Sequence, residues 1–187
     1  SLGIAFEHLT PDAGLSQSVV TDLLQDDQGF IWLATQDGLN RYDGHEFRVF
    51  KEDPSAPTSL RGNFVASLDK APSGEIWIGT NDGGLSRHDP RTGQFTAFLN
   101  DPQNANSLSQ NSVVAVDVDS SGIVWAGTSN LGLNRLDPRT GEVTRYQSDP
   151  ADPDSLSSDS ILCVLADAHG FIWVGTAGAG LDRLDPN

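Results

Sequence analysis

An all-β fold, a β-propeller of four-stranded antiparallel blades with four blades in the chain, is predicted by three features of the sequence. Four tryptophans, Trp32, Trp77, Trp125 and Trp173, stand 45, 48 and 48 residues apart. Each keeps the same company: a glycine three residues before (Gly29, Gly74, Gly122, Gly170), a threonine three after (Thr35, Thr80, Thr128, Thr176) and a leucine seventeen before (Leu15, Leu60, Leu108, Leu156). Downstream, Leu-x-Arg-x-Asp recurs as Leu39/Arg41/Asp43, Leu85/Arg87/Asp89, Leu133/Arg135/Asp137 and Leu181/Arg183/Asp185. A strand-rich repeat of this period is the signature of blades set around an axis. Helical repeats of similar period need long 3.6-residue patterns, and Gly or Pro interrupts every such stretch here.

The whole chain, 1–187, reads as one repeat domain, with blades over about 15–50, 60–98, 108–146 and 156–185. The first strand of each unit is apolar and β-branched: Ser18–Leu24, Phe64–Leu68, Val113–Val118 and Ile161–Leu165. A polar turn ending in Gly follows, and then the Trp strand, whose continuous apolarity suits burial on both faces. The Leu-x-Arg-x-Asp strand places its three signature residues on one face through the two-residue period. The last strand carries aromatic-x-x-aromatic spacing, as Phe47/Phe50, Phe95/Phe98 and Val143/Tyr146. Asp-Pro loops join one unit to the next.

The fourth unit lacks its last strand, and Phe6-Glu7-His8-Leu9 carries the missing spacing at the other end of the sequence. The segment 2–9 is therefore expected to be an outer strand that completes the last blade, so that no sheet edge stays open. Three assemblies satisfy this circular count: a ring of four closed within one chain, four blades of a larger ring, or two chains in an eight-bladed ring. The homodimer, with each chain donating its first strand to its partner, is the favoured expectation.

The formal charge of −15, from 26 acidic and 11 basic side chains, argues against nucleic acid and anionic lipid, both of which need Lys and Arg at the contact. The longest apolar run is the six residues from Ile161 to Ala166, far short of a membrane span. Cys163 lies in that run and is expected to be a buried small hydrophobe. Without any methionine or signal-peptide pattern, the sequence is expected to be an excised or processed piece.

The string Gly29-Phe30-Ile31-Trp32-Leu33-Ala34-Thr35, followed by Asp37-Gly38-Leu39-Asn40-Arg41-Tyr42-Asp43-Gly44, resembles the two-component regulator propeller repeat. So does the opening Phe6-x-x-Leu9, Gly14-Leu15-Ser16 and Ser18-Val19-Val20. The resemblance implies a sensor region of bacterial hybrid histidine kinases or diguanylate cyclases. It further implies a non-catalytic, periplasmic input module, with a carbohydrate fragment as ligand. Such regions usually carry more blades, an immunoglobulin-like module, a membrane span and an output domain, none of which is in this sequence.

Catalytic and metal-binding patterns are absent from the sequence. The four histidines, His8, His45, His88 and His169, fall at unrelated repeat positions, and no zinc-protease or nucleophile-elbow motif occurs. Asp117-x-Asp119-x-Ser121-Gly122 imitates half of a calcium loop but reads as a hairpin turn, since Thr128 stands where the bidentate Glu belongs. No cofactor is expected. Arg and Asp recurring in every unit read as packing groups of that unit.

Function is expected where the units differ, on the loops of one face. The loops between strands two and three offer Gln36, Asp37, Asn81, Asp82, Ser129 and Asn130, with Ala177 and Gly178 in the last unit. The loops before strand one offer Gln17, Asn63, Asn111 and Asp159. Amides and carboxylates with few cations suit hydroxyl-rich neutral ligands such as an oligosaccharide. A protein-interaction platform is the alternative, and a propeller lyase or glycosidase a third.

Overall fold

The computed structural model describes residues 3–186. It contains four antiparallel sheets, each a meander in chain order. Blade 1 comprises β1 (Val20–Gln25), β2 (Ile31–Thr35), β3 (Gly38–Tyr42) and β4 (Phe47–Phe50). Blade 2 comprises β5 (Val65–Lys70), β6 (Ile76–Thr80), β7 (Leu85–Asp89) and β8 (Gln94–Phe98). Blade 3 comprises β9 (Val113–Val118), β10 (Val124–Thr128), β11 (Leu133–Leu136) and β12 (Val143–Tyr146). Blade 4 has three strands only, β13 (Ile161–Ala166), β14 (Ile172–Thr176) and β15 (Gly180–Leu184). Among the described residues no helix is long and apolar enough to cross a membrane.

The repeated residues have repeated jobs. Each Trp stands opposite the Arg of the neighbouring strand: Trp32 and Arg41, Trp77 and Arg87, Trp125 and Arg135, Trp173 and Arg183. Each Thr hydroxyl donates to the carbonyl of a turn glycine, Gly38, Gly84, Gly132 or Gly180, at 2.8–3.1 Å. The turn aspartates Asp26, Asp119 and Asp167 each accept the indole N–H of their Trp at 2.7–3.1 Å. That bond, with the Asp119 Oδ1 contacts to Ser121 N and Ile123 N, makes the imitation calcium loop a hairpin turn. Among the described residues no group of three or more His, Cys, Asp or Glu side chains is arranged to hold a metal.

The core lies between blades. Trp32, Ala34 and Leu39 of blade 1 pack against Leu60, Val65 and Ile78 of blade 2. Trp77 and Leu85 meet Leu108, Val113 and Val116 of blade 3, and Trp125 and Leu133 meet Ile161, Ile172 and Val174 of blade 4. Small residues permit the approach: a Cβ built on Gly127 would stand 2.4 Å from Ile161 Cγ2. Innermost strands are also stitched by side chains. Asp22 accepts Leu68 N at 2.8 Å, Ser67 accepts Val116 N at 3.1 Å, Asp69 accepts Val118 N at 2.7 Å, and Asp117 accepts Ala166 N.

Three such interfaces join four blades, so blades 1 and 4 each end in an open face. On blade 4, Leu165, Trp173 and Leu181 occupy the positions of Leu24, Trp32 and Leu39, yet Leu181 is 63% exposed. With Val164, Gly175 and Cys163 they line a shallow apolar cavity of about 330 Å³. Cys163 is thus exposed, contrary to the expectation from its apolar run, because no blade covers that face. On blade 1, Leu23 is 64% exposed where its counterpart Leu68 is buried.

The expected outer strand does not form within the chain. Residues 3–10 are irregular, with Phe6 85% exposed, and the edge of β15 has no strand beside it among the described residues. Residue 2 of that segment lies outside the described residues. The sequence pattern marks a strand, but a strand needs a partner edge, and the blade that has only three strands among the described residues stands at the other end of the arc. Elsewhere the fourth strand supplies an aromatic cover for the Trp, with Phe50, Phe98 and Tyr146 at centroid distances of 5.6, 5.3 and 6.0 Å from Trp32, Trp77 and Trp125.

Candidate functional site

The loops singled out by sequence lie together on one face, where the β2–β3, β6–β7 and β10–β11 turns meet the inter-blade connections. Asn63, Asn111 and Asp159 share one role there. Their Oδ1 atoms accept the N–H of Glu52, Asn100 and Ser148 at 2.9, 2.7 and 2.7 Å. Their backbone carbonyls accept the N–H of Gly38, Gly84 and Gly132 in the preceding blade's turn. These residues lock each connection to the blade behind it.

The remaining residues of that face are less uniform. Asp37 pairs with Lys51 at 2.7 Å, and Gln17 accepts the N–H of Val19. Ser129 contacts Gln110 at 3.3 Å and Asn130 at 3.0 Å. Gln36, Asp82, Asn130, Ala177 and Gly178 are exposed. Asn81 Oδ1 is buried without a hydrogen-bond partner. Asp82 and Asn111 share a hollow of about 180 Å³ with Arg61 and Glu52.

A larger concavity, about 660 Å³, lies on the opposite face, in the groove between blades 2 and 3. Turns of both blades build it, contributing Ser73, Glu75, Ser121 and Asp137, and two repeat arginines, Arg87 and Arg135, reach into it. Sequence reasoning missed this groove because it assigned every repeat arginine to packing. That assignment holds for Arg41 and Arg183, whose guanidinium carbons lie 4.3 and 4.7 Å from the ring centroids of Phe30 and Phe171. Blades 2 and 3 have Glu75 and Ile123 at the phenylalanine position, so Arg87 and Arg135 keep only a 6.0 Å contact with their Trp. The signal was legible: the residue following the turn glycine changes from Phe to Glu and Ile.

Two titratable groups lie at blade interfaces, His88 buried and Asp117 half-buried. His88 packs among Trp32, Phe50 and Phe95 at centroid distances of 5.0, 5.8 and 4.7 Å. Burial first, and the Arg41 charge second, pull its pKa down to about 4, so it is neutral at pH 7. Asp117, on β9 beside Asp69, is pushed up to about 7 by burial and by the neighbouring Asp69 carboxyl.

Residues 14–37 and 155–178 match the family model described as two-component regulator propeller. Both stretches fall in units one and four and take in the first two strands of each. A 55-residue stretch of the chain is 47% identical to Histidine kinase P4 of Formosa agariphila, covering 29% of this chain and 4% of the kinase. The repeat-bearing fold resembles the extracellular domain of the putative hybrid two component system BT3049 from B. thetaiotaomicron. That match has a TM-score of 0.85 and 29% identity, over 96% of this chain and 25% of the other. The extracellular domain of the putative one component system BT4673 from the same organism matches with a TM-score of 0.74 and 26% identity, over 91% of this chain and 22% of that one. The chain therefore spans a quarter or less of each of these three.

Proposed function

We propose that these blades are a non-catalytic, ligand-sensing segment of an extracytoplasmic, periplasmic signalling receptor, and that the ligand is a carbohydrate. The observation that carries this reading is the similarity, over 96% of the chain, to the extracellular domain of a hybrid two-component system. Carbohydrate as ligand draws support from the polar, amide-rich loops and from a groove whose volume lies within the roughly 300–1,000 Å³ of small-molecule sites. The test is a thermal-shift screen of the chain against neutral and acidic oligosaccharides. A ligand bound only by the folded state raises the melting temperature. At least one sugar raising it is the expected result; none doing so across the panel overturns the reading.

We also propose that a second copy of this chain covers the open ends. The internal interfaces support this reading: each seats the innermost strand and apolar rear of the next blade, and blade 1 leaves such a surface exposed at Val20 and Leu23. Gly180 supports the same reading. Its counterparts Gly38 and Gly84 are held against a fourth-strand carbonyl, of Phe50 and Phe98, whereas Gly180 faces open space. In the closed pair, residues Phe6–Leu9 of one chain add to β15 of its partner, twice, around a two-fold axis. Leu181→Asp, at an exposed position, is expected to convert the pair to single chains; a dimer that survives Leu181→Asp and Leu23→Asp overturns this interface.

A further inference from the structure

We propose that the groove between blades 2 and 3 is a binding site for a small hydroxylated di-acid, with Arg87 and Arg135 as its carboxylate anchors. The proposal rests on reading the chain as a ligand-binding module, and it names the site and the ligand chemistry.

Among the described residues, Arg87 and Arg135 have no hydrogen bond and no ion pair to the protein; their contacts are to the Trp77 and Trp125 rings. Arg87 Nε is buried without a hydrogen-bond partner, and a buried unsatisfied donor in a native fold calls for an explanation. Both arginines hold the same repeat position on adjacent blades, β7 and β11, so the groove receives one guanidinium from each wall. A guanidinium presents a planar fork of donors that matches a carboxylate, and two such forks match two acids.

The acidic side chains of the groove form no ion pair with these two arginines. Asp137 pairs with Arg139 at 3.1 Å and feels the Arg135 charge at longer range, and Glu75 accepts the Ser73 hydroxyl. Glu75, Ser73 and Ser121 instead supply acceptors and donors for ligand hydroxyls. In a chain of net charge −15, this local concentration of cations selects a small anion and still repels an extended polyphosphate.

Titration calorimetry of the full chain with digalacturonate, and with galactobiose as its uncharged counterpart, tests the proposal. Digalacturonate is expected to bind, more weakly as salt rises, and galactobiose to bind less tightly or not at all. R87Q and R135Q are each expected to weaken digalacturonate binding about tenfold or more, the loss of a charge-assisted hydrogen bond. R48Q, which removes the same charge from an exposed arginine on β4 of blade 1, leaves the affinity unchanged. If R87Q unfolds because its side chain covers Trp77, R135Q decides the matter. Absence of binding by digalacturonate overturns the site, as does an affinity indifferent to R135Q. A neutral sugar that binds as tightly, unaffected by both substitutions, overturns the acidic groove and leaves the sensory reading standing.

Discussion

Asn111 and His88 show how much a single side chain of this repeat decides. Asn111 holds Asn100 N at 2.7 Å with its side chain and Gly84 N at 2.9 Å with its backbone, so Asn111→Ala removes a part-buried hydrogen bond. A loss of about 1 kcal/mol is expected in denaturant unfolding. His88 stands where blades 1, 3 and 4 have Tyr42, Leu136 and Leu184. With its pKa at about 4 when folded and 6.5 when exposed, the unfolded state binds the proton first as pH falls. Its stabilising contribution is complete above pH 6.5 and is lost progressively towards pH 4, by about 3 kcal/mol. His88→Leu is expected to abolish that acid-side decline, as followed by melting temperature against pH. An unchanged profile would show that His88 does not carry it.

At the scale of the strand and blade, the innermost strands carry a second, opposite pH dependence. Asp117 accepts Ala166 N across the blade 3–4 interface, and its pKa is raised from 3.8 to about 7. The folded state therefore holds the proton more tightly, and stability falls as pH rises from about 4 towards 7. Asp117→Asn keeps an acceptor for Ala166 N without the charge. It is expected to raise the midpoint of urea unfolding at pH 7.5, the gain shrinking as pH falls towards 4. Gly127→Val tests the close approach of the same two blades: its first carbon alone would stand 2.4 Å from Ile161 Cγ2, and overpacking of this kind costs about 1–3 kcal/mol.

Strands were the most legible elements, because the Trp strand and its neighbours repeat both pattern and spacing; β2, β6, β10 and β14 lie where the sequence places them. The role of each repeat residue was less legible. Leu-x-Arg-x-Asp reads the same in all four units, yet whether Arg covers a Phe or faces a groove depends on a residue eleven or twelve positions upstream. Burial at the ends was not legible at all. Cys163 and Leu181 have core patterning, and only a neighbouring blade makes core of it.

Across the whole molecule, four blades and three interfaces form an arc, with an apolar face at each end and a last blade of three strands among the described residues. Large exposed apolar patches and unpaired edges mark interaction surfaces. Both ends here match what the internal interfaces already join. The groove between blades 2 and 3 lies away from those ends, so binding there and closure of the ring are separable properties. The most direct test of this account is the mass of the chain in solution by multi-angle light scattering. A mass of about twice 19.9 kDa, reduced to one chain by Leu181→Asp, is the predicted result. A monodisperse species of 19.9 kDa at every concentration would contradict it.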